Sequence, residues 1–394
     1  MIRIAFTMIG GKAWTGGYNY LLNLVKILTE HRASDITPVL FFGTDIDPDD
    51  AAPFSRIAGA QIVMSPMLNQ SRKKISLIRS QLLGRDRPVQ KLFLDHRIDI
   101  VFENAQFYGA RLGIPAIAWI PDFQHRGMPH LFSRMALLKR ELGFRAQIAA
   151  GRSIMLSSED ARRTCEVLHP TTVGKTSVVR FAVPPPAVTP APAQARAAAD
   201  RYGLPQRYFF MPNQFWQHKN HMLVVQALAL LKQRGHDVVV AASGKQSDPR
   251  LPGHFDSLTA AIAQAGVGPN FRLLGLIPYE DLAPLMCASV ALLNPSLFEG
   301  WSTTVEEARA LGVPMLLSNL DVHVEQAEGL ARFFNPHDAQ SLADALLRAQ
   351  DDAPDGLRHA AGRTLDQAML PVRRFADDFH ALVSRTIRST PSSL

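Results

Sequence analysis

The sequence predicts an α/β protein made of two doubly wound domains. Three observations carry that prediction. Short apolar segments rich in branched residues alternate with helical patterns, and such alternation builds parallel sheets with helices on both faces. The alternation runs twice along the 394 residues. A proline-rich stretch separates the two runs.

In the first run, Ile2–Met8, Thr37–Phe42, Gln61–Met64, Ile98–Phe102, Pro115–Ile120, Ser153–Ser157 and Thr176–Phe181 read as strands. They are apolar almost throughout, as strands covered on both faces must be. Between the first two, Leu21, Leu24, Val25 and Leu28 fall on one helical face. From Pro184 to Pro192, five of nine residues are proline. That composition excludes a helix interior or a central strand and reads as an extended linker. Beyond it the pattern restarts with Tyr208–Met211, Val238–Ala242, Phe271–Leu274, Val290–Asn294 and Pro314–Ser318 as strands. Helical stretches such as His221–Arg234 and Thr304–Leu311 lie between them. Right-handed crossovers then give two Rossmann-like domains facing across a cleft. The boundaries are 1–183 for the first domain, 184–199 for the linker, 200–370 for the second domain and 371–394 for a terminal helix. Phe375, Phe379, Leu382 and Val383 form that helix's apolar stripe, expected to pack back on the first domain.

Composition excludes several function classes. An apolar fraction of 47% and a charged fraction of 20% belong to a globular protein, not a disordered one. Two cysteines, Cys165 and Cys287, make neither a disulfide framework nor a four-thiolate zinc site. They point to a reducing compartment. No apolar run approaches the ~18–20 residues of a spanning helix. The opening MIRIAFTMIGG reads as a first buried strand rather than a signal peptide. A cytoplasmic location is expected. Residues 1–183 hold 24 Lys/Arg against 15 Asp/Glu, whereas residues 184–394 hold 18 against 20. Such asymmetry suggests that the first half faces something anionic.

The most informative stretch is Asn294 to Ala308. A strand ends near Asn294, a glycine-bearing loop follows, and Thr303 with Glu306 makes a T-x-x-E capping-box pattern. Strand, loop and helix start together make an anion site. Amides of Ser302, Thr303 and Thr304 are free to point at a phosphate, and the helix dipole favours negative charge. Glu307 sits further into the helix, where its carboxylate can accept hydrogen bonds from paired ribose hydroxyls. Glu299, with Gly300 and Trp301 beside it, lies in the loop on the sugar side of the phosphates.

Phe298-Glu299-Gly300, Glu306-Glu307-Ala308 and Ala310-Leu-Gly-Val-Pro314 resemble the donor signature of retaining GT-B glycosyltransferases of the family 4, or group 1, type. The similarity covers nearly the whole chain and is most specific from about Phe209 to Leu347. The resemblance implies hexosyl transfer from a nucleoside diphosphate sugar with retention at the anomeric carbon. It implies no metal and no cofactor beyond the donor substrate. It gives Glu307 the ribose and Glu299 the donor sugar.

The resemblance extends to Met211–His221. The family pairs an arginine with a lysine six residues later to grip the diphosphate. Lys219 matches the lysine, while Asn213 stands where the arginine is expected. Asn213 or Gln214 can donate neutral hydrogen bonds there, and His218 can add partial charge. In the first domain, Gly16-Gly17 matches a glycine pair near the donor phosphates and acceptor. It is not G-x-G-x-x-G, which counts against a nicotinamide enzyme. After the fifth strand, Pro121 occupies the family's usual histidine position. Asp122 remains, and His125 is the expected substitute that contacts the donor sugar. Ile277 lies in a turn resembling the one whose backbone reads the nucleobase.

Between Ser71 and Arg97 stand eight Lys/Arg, among them Arg72, Lys73, Lys74 and Arg79, against two acids. Leucines and isoleucines are interleaved. This reads as a headgroup or acceptor surface for an enzyme working on saccharide or lipid-linked acceptors at the inner face of a membrane. Nucleic acid is disfavoured, because no recognition motif is present. The expected function is hexosyl transfer, from GDP-mannose or another hexose donor, in bacterial polysaccharide or glycolipid synthesis. A nucleotide-sugar epimerase and an inactive GT-B-like binding subunit are the alternatives.

Overall fold

The computed structural model describes residues 1–8, 15–104, 106–352 and 364–390. Gly10-Gly11 at the end of the first strand's loop, and the last four residues of the terminal segment, lie outside them. The chain divides into two compact units, Met1–Ala182 with Leu370–Leu394, and Val183–Met369.

The first unit is built on strands β1 (Ile2–Thr7), β2 (Ile36–Phe42), β3 (Gln61–Met64), β4 (Ile100–Asn104), β5 (Ala116–Trp119), β6 (Ser153–Leu156) and β7 (Thr176–Val178). They form one sheet in the order β3-β2-β1-β4-β5-β6-β7, and every pairing is parallel. The central strands are buried on both faces, as their unbroken apolar runs require. Aromatic rings fill one side of the core. Tyr20 stacks on Trp119 with centroids 4.0 Å apart, and Phe6 meets Phe102 at 5.4 Å.

Helix Leu365–Ser389 completes this core. Its buried stripe includes Phe375, Phe379, Leu382 and Val383. Phe379 lies 6.2 Å from Phe6 and 5.8 Å from Phe102. Thr386 Oγ1 donates to Ser153 Oγ at 2.8 Å, and Asp377 pairs with Arg32.

The second unit carries β8 (Phe209–Met211), β9 (Val240–Ser243), β10 (Phe271–Gly275), β11 (Ala291–Asn294), β12 (Met315–Ser318) and β13 (Ala331–Phe334). Their order is β10-β9-β8-β11-β12-β13, again all parallel. Two apolar clusters cover the two faces of this sheet. Strand β13 has no counterpart in the sequence reading. It is an edge strand of four residues, only one of them buried, so its pattern carries little apolar signal.

The proline-rich stretch also differs from expectation. Its second half is helical from Pro192 to Arg201. Pro192 occupies the helix's first turn, where a missing N–H costs nothing, and Ala195, Ala198 and Ala199 are buried. Extended chain is confined to the residues before it.

In each sheet the strand order reverses direction next to the first strand of the unit, between β1 and β4 and between β8 and β11. Ligands of open α/β sheets gather outside the carboxyl ends of the strands at such a point.

Candidate functional site

In the second unit, the two loops that leave the reversal point are the two stretches singled out from sequence. After β8 the chain makes a short 3₁₀ turn, Gln217–Lys219, and then Asn220 adopts a left-handed conformation at φ 59°. That turn lets the Asn220 amide reach across, donating to the carbonyls of Pro295 at 3.1 Å and Pro336 at 2.9 Å. The Leu297 amide donates back to the His218 carbonyl at 2.8 Å. The loops after β8 and β11 are therefore stitched together.

This stitching brings Lys219 and Glu299 into contact. Lys219 Nζ lies 2.5 Å from Glu299 Oε1, with both side chains largely buried. Ser296 Oγ donates to the same carboxylate oxygen at 2.7 Å. Burial would raise the Glu299 carboxyl, but the Lys219 ammonium, with His323 and His218 beyond it, holds it down at about 2. Glu299 is thus a fixed anion, and Lys219 is the cation beside it.

Helix Thr303–Leu311 begins directly after this loop, with Ser302 as its N-cap residue. The capping box expected from Thr303 and Glu306 does not form. Glu306 turns instead to Arg309 Nη2 at 2.8 Å and to Gln326 Nε2 at 2.9 Å. Gln326 takes over the capping task. Its Oε1 accepts from the Ser302 amide at 3.1 Å, and its Nε2 donates to the Ser302 carbonyl at 2.7 Å. The Ser302 amide is accordingly engaged, contrary to the sequence expectation. Thr303 and Thr304 open the helix, where no preceding turn supplies carbonyl partners for their amides.

Glu307 stands apart from this network. It makes no hydrogen bond or ion pair among the described residues. Burial alone lifts its carboxyl to about 7. A carboxyl group without a partner, one turn inside a helix at the carboxyl edge of a sheet, makes Glu307 a candidate ligand-binding position.

The other sequence candidates divide into two groups. Asn213 is buried, and its Nδ2 has no hydrogen-bond partner. It remains available to a ligand in the place where a guanidinium was expected. Gln214 is committed to the neighbouring loop, where its Oε1 accepts from the Lys245 amide at 3.1 Å. His218 is also buried. Its Nδ1 faces Arg250 Nη2 at 3.2 Å, and burial, followed by the Lys219 charge, pushes it down to about 3. A neutral ring adds no positive charge, so that part of the expectation is corrected. Ile277 is half-buried against the core, in the turn that follows Gly275 at φ +69°.

In the first unit, Gly16 and Gly17 lie in the opening turn of helix Thr15–His31. Asp122 caps its own turn by accepting from the Gln124 amide at 2.9 Å, and it pairs with Arg140 at 3.0 Å. His125 is 2% exposed. It packs 5.5 Å from the Phe144 ring and 3.5 Å from Glu141, both on helix Arg134–Ala149. Burial lowers its pKa. A ring enclosed in this way presents no face to a donor sugar, so His125 is a packing residue here. Arg72, Lys73, Lys74 and Arg79 belong to a separate element, at and within helix Lys73–Leu82.

Sequence reasoning missed several residues of the second unit. Gln326 and His323 lie on helix Asp321–Ala327, more than twenty residues from the loop that Gln326 braces. His323 Nδ1 lies 2.9 Å from the Ser318 carbonyl, and Ser318 Oγ donates to the Ser296 carbonyl at 2.7 Å. Asp248 holds Arg250, whose guanidinium lies 4.9 Å from the centre of the Trp216 ring. The only sequence signal was a pair of polar residues beside an apolar strand end.

Comparison with known proteins agrees with this geometry. Residues 199–364 match the family described as glycosyl transferases group 1. Among curated proteins, the 2-deoxystreptamine glucosyltransferase of Streptomyces kanamyceticus is 30% identical over 144 residues, 35% of this chain and 35% of that protein. The O-antigen chain mannosyltransferase B of Escherichia coli is 32% identical over 83 residues, 21% of this chain and 22% of that protein. The matched stretch thus spans about a third or less of each curated relative. Among solved structures, Anabaena HepE in complex with UDP-glucose superposes with a TM-score of 0.70 at 15% identity, covering 99% of this chain and 100% of that one. A glycosyltransferase from Rickettsia africae gives 0.68 at 14% identity, covering 99% of both. At these identities the likeness is one of fold, and the fold is GT-B.

Proposed function

We propose that this chain, whose second unit carries a group 1 glycosyltransferase domain, is a retaining hexosyltransferase that uses a nucleoside diphosphate sugar. The observation that carries the reading is the Lys219–Glu299 contact at the reversal point of the second sheet, beside the opening of helix Thr303–Leu311. A diphosphate seated there meets the Lys219 ammonium, the Thr303 and Thr304 amides and the unpartnered Asn213 amide. Glu307 accepts from the ribose hydroxyls. Glu299 accepts from hydroxyls of the sugar.

As the bond from the anomeric carbon to the phosphate oxygen breaks, negative charge grows on the diphosphate. Lys219 and the helix-opening amides stabilise that charge in the transition state. The acceptor hydroxyl oxygen bonds to the anomeric carbon on the face the diphosphate leaves. A donor phosphate oxygen takes the hydroxyl proton, so the products are the glycoside and the nucleoside diphosphate. No metal or further cofactor takes part in this scheme. The donor is a hexose, with GDP-mannose first among the candidates, and the curated relatives are a glucosyl- and a mannosyltransferase. The acceptor is a saccharide or a lipid-linked saccharide, met at the cytoplasmic face of the membrane in bacterial polysaccharide or glycolipid synthesis.

Titration with a panel of nucleoside diphosphate sugars, followed by transfer assays with the sugar that binds, tests the proposal. Glu307→Ala and Lys219→Ala each lower transfer by at least about tenfold, ~1.4 kcal/mol. Unchanged transfer in both purified variants excludes this site.

A further inference from the structure

One helix of the first unit is turned inside out. Helix Lys73–Leu82 buries Ser76 and Ser80. Its Ile75, Ile78 and Leu82 face solvent, each at least half exposed and Leu82 at 79%. A helix that served only the core would do the reverse. Their i, i+3, i+7 spacing places the three side chains on one stripe. Lys74 and Arg79 border that stripe on opposite sides, and Leu83 follows it, 65% exposed.

Helix Arg134–Ala149 buries Phe144 on one side and carries a second exposed stripe on the other. Met135, Leu138 and Leu142 have the same spacing and are each at least half exposed. Lys139 flanks them, and Arg145 is held by Glu141 at 2.8 Å. The two helices follow β3 and β5, which point the same way in one parallel sheet, so both segments leave from its carboxyl edge.

An exposed apolar stripe seeks an apolar partner. The charge around this one selects which. Residues 71–97 hold eight Lys/Arg and two acids. Of those acids, buried Asp86 is paired with Arg79 at 3.8 Å and Asp95 is taken by Lys91 at 2.8 Å, which leaves the other cations of the segment unmatched by either. The surface that remains is positive around an apolar centre. Interfacial helices share this layout, with basic side chains at the headgroups and apolar ones in the acyl boundary. No helix among the described residues is long and apolar enough to cross a membrane, so the contact is peripheral.

We infer that this face of the first unit docks on an anionic lipid bilayer, with Ile75, Ile78, Leu82 and Leu83 entering the headgroup–acyl boundary and the exposed Arg72 and Lys74 meeting lipid phosphates. The inference leans on the proposed function only for its purpose, which is to bring a lipid-linked acceptor to the carboxyl edge of this sheet. Vesicle binding is measured without nucleotide, so it succeeds or fails apart from the donor titration.

The test is co-sedimentation of the full chain with phosphatidylcholine vesicles, with and without about 30% phosphatidylglycerol, at about 50 and 500 mM salt. Wild type binds the anionic vesicles at least about tenfold more tightly than the neutral ones. Ile78→Asp with Leu82→Asp weakens binding about tenfold or more at both salt concentrations. Arg72→Glu with Lys74→Glu does so mainly at low salt. Leu82→Gln with Leu83→Gln reads the same apolar loss should the aspartates disturb the helix, and melting curves report the fold in each case. Equal binding to neutral and anionic vesicles, or variants that bind like wild type, overturns the inference. So does a dimer in solution that Ile78→Asp with Leu82→Asp dissolves, because a second copy would then cover the stripe.

Discussion

The two units share a strand order and differ in what they place at the carboxyl edge. In the second unit, the charged groups at the reversal point other than Glu307 are buried and matched. Lys219 meets Glu299, Arg309 meets Glu306, and Gln326 braces the loop between them. In the first unit, Asp122 and His125 turn inward to helix Arg134–Ala149. The same helix turns Met135, Leu138 and Leu142 outward to solvent. Topology therefore supplies a location but not a chemistry. The residues decide that one edge carries buried, paired charge and the other an apolar, cationic surface.

The contrast breaks most readily at Lys219. Lys219→Ala is expected to lower kcat/KM about a hundredfold, because it removes the cation nearest the leaving group. It also leaves Glu299 buried and unmatched, which costs about 3 kcal/mol of stability in chemical denaturation. A variant that loses stability but keeps its turnover assigns the pair to structure alone.

Glu307 gives the next largest effect, and it is read by pH. Its folded pKa of about 7 lies above the ordinary value of 4.5. If ionised Glu307 accepts ribose hydroxyls as proposed, calorimetric donor affinity is full above pH 7 and falls about tenfold by pH 6. Stability runs the other way. Below about pH 4.5 the group is protonated folded and unfolded, and nothing is lost. As pH rises through 7 the folded chain must hold a desolvated charge, and stability declines. Glu307→Gln is therefore expected to flatten the affinity profile. It should also raise the melting temperature at pH 8 more than at pH 4.

Gln326→Ala sharpens the comparison from within the second unit. It strips the Ser302 amide and Glu306 of their partner, for a loss of about 2 kcal/mol in denaturant titration. Donor binding weakens with it, because the loop that presents Glu299 is no longer braced. The smallest effect is expected at His125. His125→Asn should alter transfer less than about threefold while lowering the melting temperature by a few degrees. A tenfold loss of transfer with melting unchanged would return a chemical role to the first unit's edge.

Much of this was legible in the sequence where the signal was local. Alternating apolar runs located nearly all the strands. The strand end near Asn294 and the helix start at Thr303 were read in place from the residues between them. Contacts made over long separations were not legible. Gln326 lies 24 positions from Ser302, and no pattern within a helix window joins them. His125 read as a sugar contact because its enclosing ring, Phe144, comes nineteen residues later on another element. Glu306 looked like a cap because Arg309, one turn on, competes for it only once both are buried. The family resemblance identified Asn213 as the departure from the arginine pattern. Only the structure shows its amide buried with no partner.

Helix Leu365–Ser389 bears on how the chain is made. Phe6 and Phe102 leave the ribosome well before Phe379, the ring that closes over them. The second unit can mature on emergence, while the first must wait for a helix made after the whole of the second. A stalled or prematurely ended product therefore displays an open aromatic seam at its oldest part, and chaperones and proteases can use that seam to tell unfinished chains from finished ones.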